Sequence, residues 1–246
     1  MHKQQVNLIT FLSSNYTNIS SKLFSNKYDY LFDNIWHLNE YDLDEYISNI
    51  IKNIIDKNDG NLRGYGYWIW KPYIIYKKLQ ELNDNDILIF LDAHCDLDNY
   101  IEDNKFKIHL LDLINKEENH ILCGSYCGSN DYEFTSNKCI NVIENILNYK
   151  FSIDELKEEQ HECGILIIKK DEISLKIIKT WLDTMLNNQD IITDKYNNDK
   201  NNPVEFKEHR HDQSILSLIC KYYKINIYYE LAWGFFHGNK YMIYNI

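Results

Sequence analysis

With two prolines and eight glycines in 246 residues, the chain is no collagen, proline-rich spacer or glycine-rich linker, all of which rely on those residues to stay out of a packed core. Basic runs are missing too. Lys and Arg number 26 against 37 Asp and Glu, for a net charge of −11. Nucleic-acid binding draws on clustered Lys and Arg to neutralise phosphates, so this balance argues against a nucleic-acid partner. An anionic nucleotide stays open as a ligand, because a bound divalent cation can reverse the local sign. No run approaches the ~20 apolar residues that span a bilayer. The opening MHKQQVNLITFLSSN has neither the apolar length nor the small-residue cleavage site of a signal peptide. The six cysteines are scattered, several inside apolar runs, as reduced, buried thiols are. Cys123 and Cys127 have loose zinc spacing, but no second pair completes a site. These absences predict a soluble, cytoplasmic protein without a membrane span.

What is abundant is aromatic and aliphatic. Hydrophobic residues make up 44% and aromatics 14%, with 20 tyrosines. Asn, Ile and Lys are over-used alongside Tyr, which fits a viral or other AT-rich genome. The asparagines therefore do not mark disorder.

Taken in order, residues 6–12 read as a first strand and 28–36 as a second, irregular one. Residues 43–55 have helical spacing through Leu43, Ile47, Ile50 and Ile54 and stop at a polar loop. Pro72 suits the first turn of a helix, where its missing N–H has no partner to lose, and Ile75, Leu79 and Leu82 share one face behind it. Residues 87–91 are a continuous apolar run, the pattern of a strand covered on both faces. Helices are expected over 106–115, 137–149 and 173–186, and strands over 120–125 and 164–168. Residues 187–208 are polar and without periodicity, which reads as a structureless loop or lid. Asp212 is expected to N-cap a helix carrying Ile215, Ile219 and Tyr222, and 225–231 to form a last strand. Strands and helices alternate throughout, which predicts an α/β fold: a mixed, mainly parallel sheet flanked by helices in a single domain over 1–246.

The chemistry concentrates in 63–98. Asp92, His94, Asp96 and Asp98 crowd onto the carboxyl end of the 87–91 strand, where open α/β sheets bind ligands. Carboxylates and an imidazole together suit Mn²⁺ or Mg²⁺ better than a structural zinc; a solvated acidic loop is the plain alternative. Arg63 and Lys71 flank a tight turn set by Gly64 and Gly66, placed either to grip phosphate or simply to be solvated. Trp68 and Trp70 read as core, and His209 and His211 as exposed loop residues.

The string Gly64-Tyr65-Gly66-Tyr67-Trp68-Ile69-Trp70-Lys71-Pro72, followed by a buried strand ending in Asp92-Ala93-His94, resembles GT-A-fold glycosyltransferases, in particular a group of bacterial and viral enzymes with an RGxGYWxWKP segment. The resemblance covers roughly 60–240. Asp92-Ala93-His94 stands where that fold has its D-x-D motif, with His94 in place of the second Asp. His211-Asp212-Gln213 is similar to the D-Q segment near the donor sugar of glycogenin-like enzymes. His237-Gly238-Asn239-Lys240 is similar to, but shorter than, their H-x-x-G-x-x-K, and Gln160-His161-Glu162-Cys163-Gly164 falls where they have a sugar- or acceptor-contacting turn.

The resemblance implies a GT-A-like (Rossmann-like) domain, its nucleotide-binding half over about 1–100 and its acceptor half over about 101–246. It also implies transfer from a UDP- or GDP-sugar to a hydroxyl on a glycan, protein or lipid. Asp92, His94 and His237 would hold Mn²⁺ (or Mg²⁺). Arg63, Gly64, Tyr67, Trp68, Lys71, Asp92, Gly164, Gly238 and Lys240 would bind the donor, and Asp212, Gln213 and Glu162 would serve catalysis. Two alternatives are a catalytically inactive module that keeps the fold, and a metal-dependent phosphohydrolase or nucleotidyltransferase.

Overall fold

A computed structural model describes residues 3–14, 30–93, 95 and 105–231; of 105–110, 126, 127 and 230 only the backbone is described. His94, Asp96, Asp98, His237, Gly238 and Lys240 lie outside the described residues.

Five strands, β1 (Val6–Phe11), β2 (Asn34–Leu38), β3 (Ile87–Leu91), β4 (Ile121–Asn130) and β5 (Glu159–Lys169), form one sheet in the order β2-β1-β3-β5-β4. β1 pairs in parallel with β2 and β3, and β5 runs antiparallel to both β3 and β4. Four of the five strands thus point one way, and the expected α/β architecture with a mixed, mainly parallel sheet is what is found. Side chains alternate across the strands, as the pleat requires. Ile87, Ile89, Leu91, Ile165 and Ile167 pack on one face of the sheet together with Ile114 of α4 (Lys105–Lys116). Leu88, Phe90, Leu166 and Ile168 pack on the other. That second face carries α1 (Glu45–Lys57), α3 (Trp70–Glu81), α6 (Asn137–Leu147), α8 (Glu172–Asn187) and α9 (His211–Tyr222).

The glycine-rich string forms α2 (Gly64–Tyr67), a single turn of the opposite hand. Gly64, Tyr65, Gly66, Tyr67 and Trp68 all have positive φ, between 48° and 83°. The Tyr67 N–H donates to the Arg63 carbonyl at 2.8 Å and Trp68 N–H to Gly64 at 3.0 Å. Left-handed backbone costs ~1–2 kcal/mol for each residue that carries a Cβ, and three of the five do. Burial of Tyr67, Ile69 and Trp70 behind the turn offsets this, at ~1.5–3 kcal/mol for each large side chain. The Trp70 indole also donates to the Gly64 carbonyl at 2.9 Å.

The two glycines are sterically required. A Cβ on Gly64 would sit 2.3 Å from the Trp68 ring, and one on Gly66 would sit 2.9 Å from Ile51. Gly60 also has positive φ but has nothing within 4 Å of that position. Gly64→Ala is therefore expected to cost clearly more stability than Gly60→Ala, which bears only the ~1 kcal/mol of backbone strain. Urea unfolding of the two variants compares them, and equal losses would contradict the geometry.

Four expectations are corrected. Residues 187–208 are not a structureless lid. Two 3-10 turns, Gln189–Ile192 and Asp194–Tyr196, bury Ile191 and Ile192. Side-chain caps tie the segment down: the Asn202 amide oxygen accepts from Asn137 N–H at 2.9 Å, and that of Asn197 accepts from His209 N–H at 3.0 Å. Two apolar residues in a polar run give no period to read.

Asp212 does not cap α9. Arg210 holds that position without a side-chain cap, and the Asp212 carboxylate turns inward. His209 and His211 are buried, with side chains on the carbonyls of Ile191 and Ile192. Residues 225–231 give a single bridge, Cys123 to Ile227, and a 3-10 turn at Tyr229–Leu231 instead of a strand.

Candidate active site

The sheet changes from parallel to antiparallel between β3 and β5, and the candidate site lies at that seam. Asp92 follows the last residue of β3, and its N–H donates to the Gly164 carbonyl at 2.8 Å. Next door β5 departs from regular pairing. Between Cys123↔Leu166 and Ser125↔His161, one residue of β4 opposes four of β5. A bulge of this kind re-aims side chains beside functional sites, and this one contains Glu162, Cys163 and Gly164. A Cβ on Gly164 would lie 2.9 Å from Asp92 Oδ2 and 3.3 Å from Glu162 Oε1. The bare Cα is what lets the two carboxylates converge.

Lys71 enters from the first turn of α3. Although a lysine, it is 2% exposed. Its Nζ lies 3.0 Å from Asp212 Oδ2, 3.3 Å from Asp92 Oδ1 and 3.4 Å from Cys163 Sγ. Of the two roles left open for Lys71, solvation is excluded: the ammonium sits between two carboxylates from different segments of the chain. Burial opposes its charge, but Asp212, Asp92 and Cys163 together outweigh that and hold its pKa well above the ordinary lysine value. Burial raises the Asp212 carboxyl, against the pull of Lys71. It also pushes the Cys163 thiol well up, so Cys163 acts as an S–H donor to Asp212, at 3.1 Å, and not as a nucleophile.

These groups face a cavity of about 230 Å³ lined by Arg63, Trp68, Lys71, Asp92, Glu162, Cys163, Gly164, Arg210, His211, Asp212 and Gln213. The cavity thus gathers eight of the residues expected from sequence: Arg63, Trp68, Lys71, Asp92, Glu162, Gly164, Asp212 and Gln213. Gly64 and Tyr67 do not line it. Gly64 lies beneath the Trp68 ring, and the Tyr67 hydroxyl is 3.2 Å from Asp194 Oδ2. Trp70 is core, as read, stacked on Phe11 with ring centroids 4.0 Å apart. Trp68 stands at the wall with its ring stacked on His211, centroids 5.4 Å apart.

Comparison with protein families, curated proteins and solved structures returns no match.

Three lining residues were given no site role from sequence: Cys163, Arg210 and His211. The signal for each was its neighbours: Cys163 stands between Glu162 and Gly164, and Arg210 and His211 precede the Asp212-Gln213 pair. Arg210 stacks over the Phe134 ring at 3.9 Å and donates to Ser129 Oγ at 2.9 Å. Gln213 is steered by its amide nitrogen, which donates to Gln160 Oε1 at 2.8 Å. Gln160 in turn donates to Asp131 Oδ1 at 3.0 Å. Asp131 is fully buried and also takes Ser217, Thr135 and Lys221. This second network closes on itself and serves to brace α9 against β5.

Among the described residues no group of three or more His, Cys, Asp or Glu side chains is arranged to hold a metal ion, and two of the three expected ligands, His94 and His237, lie outside them. The donor chemistry at Gly164 does fit a hard divalent cation, since Asp92 Oδ2 and Glu162 Oε1 offer two carboxylate oxygens over an open Cα. Among the described residues no helix is long and apolar enough to cross a membrane.

Proposed function

We propose that the chain is a metal-dependent glycosyltransferase that moves a sugar from a UDP- or GDP-sugar to a hydroxyl acceptor. The observation that carries this reading is the convergence of Asp92 and Asp212 on the Lys71 ammonium, in a cavity that Glu162 also lines and that has one tryptophan and two arginines at its wall. Glycosyl transfer needs cationic groups near a departing diphosphate, a proton acceptor for the incoming hydroxyl and an apolar surface for the sugar. Arg63 and Arg210 suit the first role, Asp212 or Glu162 the second and Trp68 the third. At about 230 Å³ the cavity is smaller than the roughly 300–1,000 Å³ of sites that enclose a whole drug-sized ligand. That volume suits the sugar end of such a donor.

Asp92 and Glu162 would hold Mn²⁺ or Mg²⁺, joined by the His94 and His237 that the resemblance implies. When bound, the ion would supply positive charge to the leaving diphosphate. Lys71 holds Asp92 and Asp212 in place by ion pairs at 3.3 and 3.0 Å, so the carboxylates are in position before any ligand arrives.

The test is a thermal-shift and turnover panel of UDP- and GDP-sugars with and without Mn²⁺. A Mn²⁺-dependent shift is expected for at least one donor, and Asp92→Asn should abolish it. Gly164→Ala should do the same while the fold survives, because its Cβ fills the gap between the two carboxylates. A panel without a single shift or turnover would sink the proposal. The inactive-module reading is favoured by one observation, the full engagement of Lys71 by three partners. Binding without turnover against every acceptor class would select it.

A further inference from the structure

Cys163 is a thiol set among charges. It is 4% exposed, lines the cavity and stands in the β5 bulge between the ammonium of Lys71 and the carboxylate of Asp212. Its Sγ lies 3.4 Å from Lys71 Nζ and 3.1 Å from Asp212 Oδ2, and Nζ lies 3.0 Å from that same oxygen. The direction of each bond follows from the protons available. An ammonium has three N–H groups and no acceptor, and Lys71 has three partners, Asp212, Asp92 and Cys163. Sγ therefore accepts from Lys71 and keeps its own proton for Oδ2.

Both donors to the Asp212 side chain thus meet one oxygen. They come from different elements, Lys71 from α3 and Cys163 from β5, so the carboxyl plane is held against rotation more firmly than a single ion pair would hold it. The backbone behind it is pinned as well, because the Trp181 indole donates to the Asp212 carbonyl at 3.1 Å. No described residue donates to the other carboxylate oxygen, Oδ1. That oxygen is not one of the sealed polar atoms of the interior, and it keeps accessible surface where Asp212 lines the cavity. A proton acceptor that must meet a hydroxyl in one geometry gains from such fixing, since small misplacements cost rate steeply.

We propose that Cys163 is a positioning residue, whose S–H holds the Asp212 carboxylate so that Oδ1 faces the incoming acceptor hydroxyl. The proposal rests on the glycosyl-transfer reading above. It deepens that reading by choosing Asp212 as the proton acceptor and leaving Glu162 to the ion. In the transfer step the hydroxyl proton passes to Oδ1 as the hydroxyl oxygen bonds to the anomeric carbon. The bond from that carbon to the diphosphate breaks, and its electron pair leaves with the UDP or GDP. The thiol is neither consumed nor deprotonated.

The experiment compares Cys163→Ser, Cys163→Ala and Cys163→Val in the full chain with Mn²⁺. The substrate is the UDP- or GDP-hexose that shows the fastest acceptor-dependent release of nucleotide in the panel above. Ser keeps a donor in less volume, whereas Val keeps an apolar bulk without a donor. Cys163→Ala and Cys163→Val are expected to lower kcat about three- to tenfold, the effect of one lost hydrogen bond, with KM for the donor unchanged. Cys163→Ser should recover most of kcat. A packing role predicts the opposite order, with Val nearest to wild type and Ser no better than Ala, and that result overturns the proposal. If Val does not fold, Ser and Ala decide the matter, since they are close in volume and differ in the hydroxyl. A wild-type kcat in Cys163→Ala, or a loss that falls on donor KM instead of kcat, also overturns the proposal while sparing the glycosyl-transfer reading. A wild-type chain that releases no nucleotide from any hexose donor overturns that reading, and this inference with it.

Discussion

Between pH 7 and pH 5 the protein is expected to lose about 6 kcal/mol of folding stability, enough to unfold many domains whose total is ~5–15 kcal/mol. The cause is three buried histidines. Burial lowers the pKa of His161 to about 4, and of His209 and His211 to about 3. In the unfolded chain each returns to the ordinary value near 6.5. Above that value neither state binds the proton and the stability is fully present. As pH falls below it only the unfolded state takes up protons, and each histidine removes ~1.4 kcal/mol per pH unit until its folded pKa is reached.

Asp212 acts in the opposite sense. Its raised pKa lets the folded state accept a proton early, which returns part of the loss. Urea unfolding at pH 7.5, 6.5, 5.5 and 5.0 should show the midpoint falling steeply below 6.5. An unchanged midpoint down to pH 5 would show that these rings are not held neutral. His209 and His211 both grip the 189–192 turn, so its amides should exchange first as the pH drops.

The second large effect is expected from Lys71→Met. Met fills much the same space but leaves Asp92 and Asp212 without their cation at the seam of the sheet. Breaking a buried ion pair from one side costs ~3–5 kcal/mol, whereas an exposed pair such as Lys77–Asp44 contributes ~1 kcal/mol or less. The loss should be smaller at low pH, because an unpaired Asp212 escapes by protonation. Adding Asp212→Asn to Lys71→Met should recover more than 1 kcal/mol relative to additivity, since the buried charge then disappears. Denaturation of the two single variants and the double variant measures this. Strict additivity, or a neutral Lys71→Met, would mean that the ammonium does not stabilise the carboxylates.

How much of this could be read from sequence follows from what periodicity can see. The run Ile87–Leu91 is apolar at every position because both faces are covered, and its bounds are those expected from sequence. Asp92 was legible because a carboxylate directly after such a strand has few reasons to be there. β5 was read only in its apolar half. Residues Gln160 to Cys163 are buried as well, with Gln160 and His161 held there by Asp131, Ser217 and the Ile225 carbonyl. Those partners are distant in sequence, so nothing local announces them. Asp212 looked like a cap because Asp commonly is one, and only the position of Lys71, 141 residues away in the chain (71 to 212), shows why it faces inward. His211 looked like an exposed loop residue for the same reason, since the Ile192 carbonyl that holds its ring is 19 residues away. The handedness of Gly64–Tyr67 is hidden too, since hydrophobic spacing carries no chirality.

That reversed turn has a mechanical consequence. Ordinary helices fray at their ends and can exchange one register for another, but α3 cannot grow backwards without inverting five residues and driving Trp68 through the Gly64 backbone. Nor does it readily unwind forwards, with Trp70 locked to the Gly64 carbonyl. The start of α3 is therefore a hard stop. The ammonium of Lys71, one residue beyond it, inherits a fixed position that a flexible lysine on a free helix end would lack.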